Sequence, residues 1–443
     1  MDKIQQSLTS NFKLIKARTE QMDVETLARQ TGVIKRTPRK LSASGLLQVI
    51  IALSSGRAPT QEEIAAAASL LLDDSYSKEA VRKRLNNNVD VFLAAIIAAV
   101  FADMTKDSAG NDNLKYFNRV ILQDSTNIAL PEKFSSVFPG SPNQSSSNVS
   151  SMKIQLITDM LQGNILDLSI SGFTRNDQAA APDILKIAQA GDLVLRDMGY
   201  FVLKTFEHMI QRNIFFISLC RKAITIHDPR NGQRIDLASK LKKQRSVDID
   251  VLLGMKDQVA VRLTAEPVSE AVANERRRKA RANAKRDKRL NPSKDSFFLM
   301  GWNIFITNIP RDKFTAKQLY PVYALRWRIE IIFKAWKSHL AIKELNLGSE
   351  TMLRLSVMAK LIFCAFTQVV CSALNAQLPD SSPRVSLLKL ARLFSQAGFL
   401  LSAAMLDVSP THLLSHLISS IVFYEQRSDR QNFPDAVSAC SLG

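Results

Sequence analysis

The chain has 443 residues, 46% hydrophobic and 23% charged, and its 59 Lys and Arg outnumber 41 Asp and Glu for a formal net charge of +18. That length and apolar content exclude an intrinsically disordered chain and allow roughly three domains. The basic excess favours a polyanionic partner, nucleic acid first, although a ribosome-associated or membrane-surface protein would carry the same balance. Four cysteines, Cys220, Cys364, Cys371 and Cys440, show no C-x-x-C pair, so neither a zinc site nor a disulfide framework is expected and a reducing cytosol is the natural compartment. The opening Met1-Asp-Lys-Ile-Gln-Gln lacks the layout of a secretory signal, and the most apolar long segment, 356–374, is interrupted by Lys360 and Gln368. It reads as a buried core helix, with no membrane span expected.

Residues 1–115 read as helical, with apolar runs at 45–53, 62–72 and 91–104 and a capping box at Thr60-Gln-Glu-Glu63. Residues 77–85 form a second short helix after a turn, carrying Lys78, Arg82, Lys83 and Arg84. Such a pair is a candidate helix-turn-helix, with Arg82, Lys83 and Arg84 as candidate DNA contacts, although a basic solvated helix in a bundle has the same pattern. The basic stretch Lys35-Arg36-Thr-Pro-Arg39-Lys40 adds a further phosphate contact.

From about residue 116 the apolar period changes. Arg119-Val-Ile-Leu-Gln-Asp124 is an apolar run ending in an acid, so that Asp124 is expected at a strand end; 153–158 and 165–170 follow as a hairpin through Gln162-Gly163-Asn164. A helix opened by Pro182, a buried strand at 192–197 ending in Asp197, a helix at 202–211 and a strand at 214–220 complete the set. The order of three strands, helix, strand, helix, strand predicts an α/β fold with a ribonuclease-H-like mixed-sheet catalytic core over 116–220.

Residues 221–311 break this alternation and read as a mostly β insertion containing the run Glu275-Arg276-Arg277-Arg278-Lys-Ala-Arg, for which a phosphate-binding arm is preferred over a solvated loop or a basic helix. The insertion closes with a strand beginning near Trp302. Residues 312–345 return to the core, and 346–443 form a helical C-terminal region that either mediates dimerisation or covers the core.

The stretch from Tyr323 to Lys337 contains no Gly or Pro and reads as one helix. At 100° per residue Tyr323, Arg326, Glu330 and Lys337 fall within an arc of roughly 60°, beside an apolar stripe of Leu325, Ile329, Ile332, Phe333 and Trp336. Taken alone, Arg326 and Glu330 make an ordinary surface i,i+4 pair. With Asp124 and Asp197, however, Glu330 completes a set of three carboxylates at points that converge in a ribonuclease-H core. An oxygen-only cluster of that kind suits two Mg²⁺ ions, or Mn²⁺ in their place, in phosphodiester displacement.

On Asp124-Ser-Thr, Asp197-Met-Gly-Tyr-Phe and Tyr323-x2-Arg326-x3-Glu330-x6-Lys337, the chain resembles the insertion-sequence-four family of bacterial DDE transposases over about 116–340. The resemblance implies that Asp124, Asp197 and Glu330 are catalytic and hold the metals, and that Tyr323, Arg326 and Lys337 grip phosphates beside the cut end. Lys334 lies on the same helix face, and only the family spacing prefers Lys337. By the same resemblance Trp302 stacks on a flipped base during hairpin formation, although a core tryptophan would also fit the position.

The implied activity is cut-and-paste transposition: nicking at the element's ends, a hairpin intermediate and strand transfer into target DNA. The implied partners are duplex DNA, as terminal inverted repeats and target, and a second copy of the chain in a synaptic homodimer. No Walker loop is present, so no nucleotide cofactor is expected. A nucleoid-associated location in a bacterial cytoplasm follows. The alternatives are a structure-specific nuclease on the same fold and a DNA-binding derivative that has lost catalysis.

Overall fold

The computed structural model describes residues 21–395 except 36–39, 57, 102–113, 115, 142–148, 162, 257, 288–291 and 377–384. In chain order the helices α1 (Val24–Gln30), α2 (Ala43–Leu53), α3 (Gln61–Leu71), α4 (Lys78–Arg82) and α5 (Val89–Phe101) come first. Then follow β1 (Val120–Leu130), β2 (Ser150–Asp159), β3 (Ile165–Gly172), α6 (Asp177–Ala180), α7 (Ile184–Ile187), β4 (Leu193–Arg196), α8 (Leu203–Gln211) and β5 (Phe215–Leu219). The next elements are β6 (Ile226–His227), α9 (Leu237–Lys243), β7 (Val247–Leu253), β8 (Val259–Pro267), α10 (Glu270–Arg286), α11 (Lys294–Leu299) and β9 (Trp302–Thr307). Three helices close the series: α12 (Ala316–Ala324), α13 (Trp327–Ser338) and α14 (Glu350–Ala376).

The nine strands form one mixed sheet in the order β3-β2-β1-β4-β5-β9-β8-β7-β6. Its first five strands carry the 3-2-1-4-5 order of a ribonuclease-H-like core, with β4 parallel to both β1 and β5. Among the described residues the chain divides into two compact units, one from 21–101, 125–175 and 327–395 and the other from 114–124 and 176–326.

The first unit is organised on α14. Its most apolar stretch, Glu350–Ser372, is long enough to cross a membrane, but it is almost wholly buried inside the protein, which fits the core helix expected from Lys360 and Gln368. Lys360 reaches the Gly56 carbonyl at 2.6 Å, and Gln368 donates to the Gly163 carbonyl at 2.7 Å. The Arg354 guanidinium meets Asp90 at 2.5 Å and Glu350 at 2.8 Å. These polar side chains are tolerated in the interior because each has a partner. The capping box appears as read: Thr60 Oγ1 accepts from the Glu63 amide and Glu63 accepts from the Thr60 amide.

The second unit holds β4 to β9 and the opening of β1. The insertion differs from the mostly β reading, since it contributes four strands and three helices, and the basic run lies on the 17-residue helix α10. Ser269 caps α10, and Glu275 pairs with Arg278 and Lys279 along its face; such pairs stabilise a helix that lacks an apolar stripe. The insertion's strands also do not fold apart. β8 pairs antiparallel with β9 from Arg262↔Thr307 to Pro267↔Trp302, and β9 pairs with β5, so the insertion widens the core sheet.

Two further expectations change. β1 does not stop at Asp124 but continues to Leu130, because Thr126 and Ile128 keep alternating inward while Asn127 faces out. The helix read from 323 to 337 is interrupted: α12 ends at Ala324, the Leu325 and Arg326 amides bond back three residues to Val322 and Tyr323, and α13 starts at Trp327. A tight turn of this kind rotates the residues after it away from the single 100° progression.

Candidate active site

Asp124 and Asp197 are placed by strand register. β1 and β4 pair in parallel from Val120↔Leu193 to Gln123↔Arg196, and the two acids are the next residue on each strand. They therefore stand side by side where the parallel ladder ends: Asp197 just past the carboxyl end of β4, and Asp124 beside it where β1 runs on past β4.

The strand ends are locked from below. Arg196, 2% exposed, donates through Nη1 to the Ala181 carbonyl at 2.8 Å and to Gln123 Oε1 at 3.3 Å. Gln123 Nε2 donates to the Ala180 carbonyl at 3.1 Å. The Arg196 guanidinium also lies 5.6 Å from the Phe206 ring centre and 5.9 Å from that of Tyr200. Burial pushes it down to about 9, so it still carries its charge at neutral pH.

Tyr323 and Arg326 join this pair from α12 and the turn after it. The Tyr323 hydroxyl donates to the Arg196 carbonyl at 3.3 Å, immediately before Asp197. Burial pushes its phenol up to about 12, with the Arg326 charge opposing and the charges of Asp197 and Asp124 reinforcing the shift. Arg326 Nη1 lies 3.5 Å from Asp124 Oδ2, the two side chains being 10% and 16% exposed. Two carboxylates, a phenol and a guanidinium of the motif residues thus share one place in the second unit.

Glu330 and Lys337 lie on α13 in the other unit, Glu330 in its first turn and Lys337 in its last. Burial and the neighbouring Lys343 push the Lys337 ammonium down, whereas Lys334 is exposed. Among the described residues no group of three or more His, Cys, Asp and Glu side chains is arranged to hold a metal. The donor set the second unit offers is the oxygen pair Asp124 and Asp197, whose hard ligand chemistry fits Mg²⁺ or Mn²⁺ and not Zn²⁺.

The basic residues have varied surroundings. Arg276 donates to the carbonyls of Met300 and Trp302 at 3.4 and 3.1 Å and to Asn303 Oδ1 at 2.7 Å. Arg277 bonds the Phe297 carbonyl, Glu270 and Asn274, while Arg278 is exposed and paired with Glu275. Trp302 is half-buried at the start of β9, its ring centre 6.1 Å from that of Phe298.

In the first unit α4 has five residues, shorter than the helix the sequence predicts over 77–85. Asn86 explains the early stop, because its side chain bonds the Gly32 and Val33 carbonyls and the Asn88 amide. Arg82 grips Glu79 through two bonds of 2.7 Å, Lys83 lies 3.9 Å from the same acid, and Arg84 is half-buried. Of the basic stretch at 35–40, residues 36–39 lie outside the described residues, as does most of the C-terminal region.

Sequence reading passed over Arg196 and Trp327. Trp327, the first residue of α13, is 62% exposed, and its one sequence signal is that it falls outside the apolar stripe.

A sheet of this strand order, with β4 parallel to both β1 and β5, is that of a ribonuclease-H-like core. The family model described as Transposase DDE domain matches residues 115–366, more than half of the chain, and the chain belongs to that family. It is a DDE transposase, an enzyme that cuts DNA and transfers strands. The chain is 30% identical to the transposase for insertion sequence element IS231C of Bacillus thuringiensis subsp. berliner over 365 residues, 76% of this chain and 75% of that one. It is 28% identical to the IS1151 transposase of Clostridium perfringens over 64% of each chain. Against the IS421 transposase of Escherichia coli the identity is 24% over 77% of this chain and 88% of the relative. Among solved structures, the piggyBac transposase synaptic complex with hairpin DNA aligns over 94% of this chain and 85% of that one, with 11% identity and a TM-score of 0.41.

Proposed function

We propose that the chain cuts an insertion element out of duplex DNA and inserts it elsewhere through a hairpin intermediate, with Asp124, Asp197 and Glu330 as its catalytic carboxylates. The observation that carries this reading is the register Gln123↔Arg196, which sets Asp124 and Asp197 next to one another. Glu330 is assigned by its spacing from Tyr323 and Arg326 and by its place in the first turn of α13.

Asp124 and Asp197 would hold a divalent cation, and Glu330 would add the third carboxylate. When bound, such a cation supplies electrostatic stabilisation of the charge that develops on the attacking and leaving oxygens. Arg326 then exchanges its contact with Asp124 for a phosphate oxygen at the cut end. Tyr323 stays protonated, because burial holds its phenol far above neutral pH, and so positions as a hydrogen-bond donor. Lys337 and the exposed Arg278 bind phosphates, joined by Arg82, Lys83 and Arg84 near α4. Trp302 stacks on a flipped base as the hairpin forms. The working form is a homodimer holding two ends.

Asp197→Ala tests the assignment. Binding to a duplex carrying the element's terminal repeats should persist while Mg²⁺-dependent nicking is lost; nicking at the native rate removes Asp197 from the mechanism. Equal cleavage of unrelated duplexes without strand transfer would favour a structure-specific nuclease.

A further inference from the structure

We propose that Arg276 is a positioning residue that fixes Trp302 and takes no part in binding phosphate. The proposal rests on the reading of Trp302 as the base-stacking residue and concerns how the protein holds that ring in place.

The geometry follows from where β5 leaves the sheet. β5 and β9 pair up to Leu219↔Phe305, and the Cys220 amide then donates to the Ile304 carbonyl at 2.9 Å. Along a strand, alternate carbonyls point to the same side. The next carbonyl on that edge of β9 is therefore that of Trp302, and β5 supplies no further ladder bond to it. Without a partner this carbonyl would leave the strand end loosened.

The guanidinium of Arg276 takes over from the departed strand. It donates to the Trp302 carbonyl at 3.1 Å, to the Met300 carbonyl at 3.4 Å and to Asn303 Oδ1 at 2.7 Å, so it holds the residue itself and both flanks of it. Asn303 is 8% exposed, and all three acceptors are neutral. Arg277, one residue on, donates to the Phe297 carbonyl at 3.2 Å, in the helix whose Phe298 ring lies beside Trp302. The inner face of α10 thus holds the backbone that carries the indole, and its outer face, with Arg278 74% exposed at the side chain, is the part open to DNA.

A rigid mounting matters for a stacking residue. An aromatic ring that must take up an extruded base gains most when it does not itself have to be ordered on binding. An arginine fork suits the task because it reaches three acceptors from a single planar group, which a lysine cannot do.

The test uses the full chain and two readouts. Acrylamide quenching of Trp302 is isolated by subtracting the signal of the same variant carrying Trp302→Phe. Arg276→Met should make Trp302 more accessible, whereas Asn303→Asp, which keeps the acceptor, should not. Binding of terminal-repeat duplex is then measured across salt concentrations. Arg276→Met should leave the slope of log K against log salt unchanged, whereas removing a phosphate ligand such as Arg278 lowers it by about 0.9. Hairpin formation should fall about ten-fold in Arg276→Met, no further in the double variant with Trp302→Ala than in Trp302→Ala alone, and recover only in part in Arg276→Lys. Unchanged quenching, or a salt slope lowered by about one, overturns the proposal. If Arg276→Met fails to fold, Asn303→Leu removes one arm of the clamp and must raise Trp302 quenching for the proposal to stand. Normal hairpin formation in Trp302→Ala would instead end the base-stacking reading, leaving the quenching result to decide the clamp by itself.

Discussion

The guanidinium of Arg326 stands 3.5 Å from the carboxylate of Asp124, with both side chains largely shielded from solvent. A cation of the protein's own thus occupies the neighbourhood of a carboxylate proposed to take a metal. Charges this close and this shielded interact strongly, so under the proposed roles Arg326 would oppose metal entry until DNA phosphate drew it away. Arg326→Gln should therefore bind Mn²⁺ roughly 10-fold more tightly in the absence of DNA, a difference of about 1.4 kcal/mol, while binding element ends less well. Calorimetric titration with Mn²⁺ checks this, and an unchanged affinity would separate Asp124 from the metal.

Tyr323 carries a pH signature. Its phenol is pushed by burial from an ordinary 10.0 to about 12 in the fold, so the folded state keeps a proton that the unfolded chain releases. The stability this contributes is complete below pH 10 and is lost as pH rises through 12, about 3 kcal/mol in all. Denaturant unfolding between pH 9 and 12 should show a steeper decline in the native chain than in Tyr323→Phe; parallel curves would contradict the buried, protonated phenol.

Asp248 anchors the edge of the insertion. Burial alone would raise its carboxyl, but the bonds from Arg262, reinforced by the charges of Arg262 and Arg311, hold it below the ordinary 3.8. Arg262 grips it through two bonds of 2.9 and 2.6 Å and also holds the Ile309 and Phe314 carbonyls ahead of α12. Its stabilisation is present above the ordinary carboxylate range and lost as pH falls through the lowered value. Asp248→Asn leaves a buried guanidinium without its counter-charge and should cost about 3 kcal/mol by chemical denaturation at neutral pH, a difference that shrinks as pH falls below the ordinary carboxylate range.

The capping box of α3 is a local prediction. Thr60→Ala removes the acceptor of the Glu63 amide and should lower stability by about 1 kcal/mol, with Thr60→Ser close to neutral. A shift in Tm measured by calorimetry suffices to check it.

The elements that sequence reading found were those set by neighbours in the chain. The Thr60 cap, the hairpin of β2 and β3 and the short buried strand β4 follow from residues within a few positions of one another. Propensity and period act over that range. The place of Asp197 was legible for the same reason, because it directly follows a continuous apolar strand.

What the sequence by itself determined is a basic DNA-processing enzyme with an α/β core and the order of its strands. The tertiary structure decided where the long cationic side chains go. Arg326 meets Asp124, Arg276 holds Trp302 and Asn303, and Arg196 reaches Ala181 and Gln123, each across a long stretch of chain. The structure also decided that β8 joins the core sheet through β9 and that the helix carrying Glu330 begins afresh at Trp327. A guanidinium's partner is set by which carbonyls and carboxylates tertiary packing leaves within its reach, and neither spacing nor composition encodes that distance.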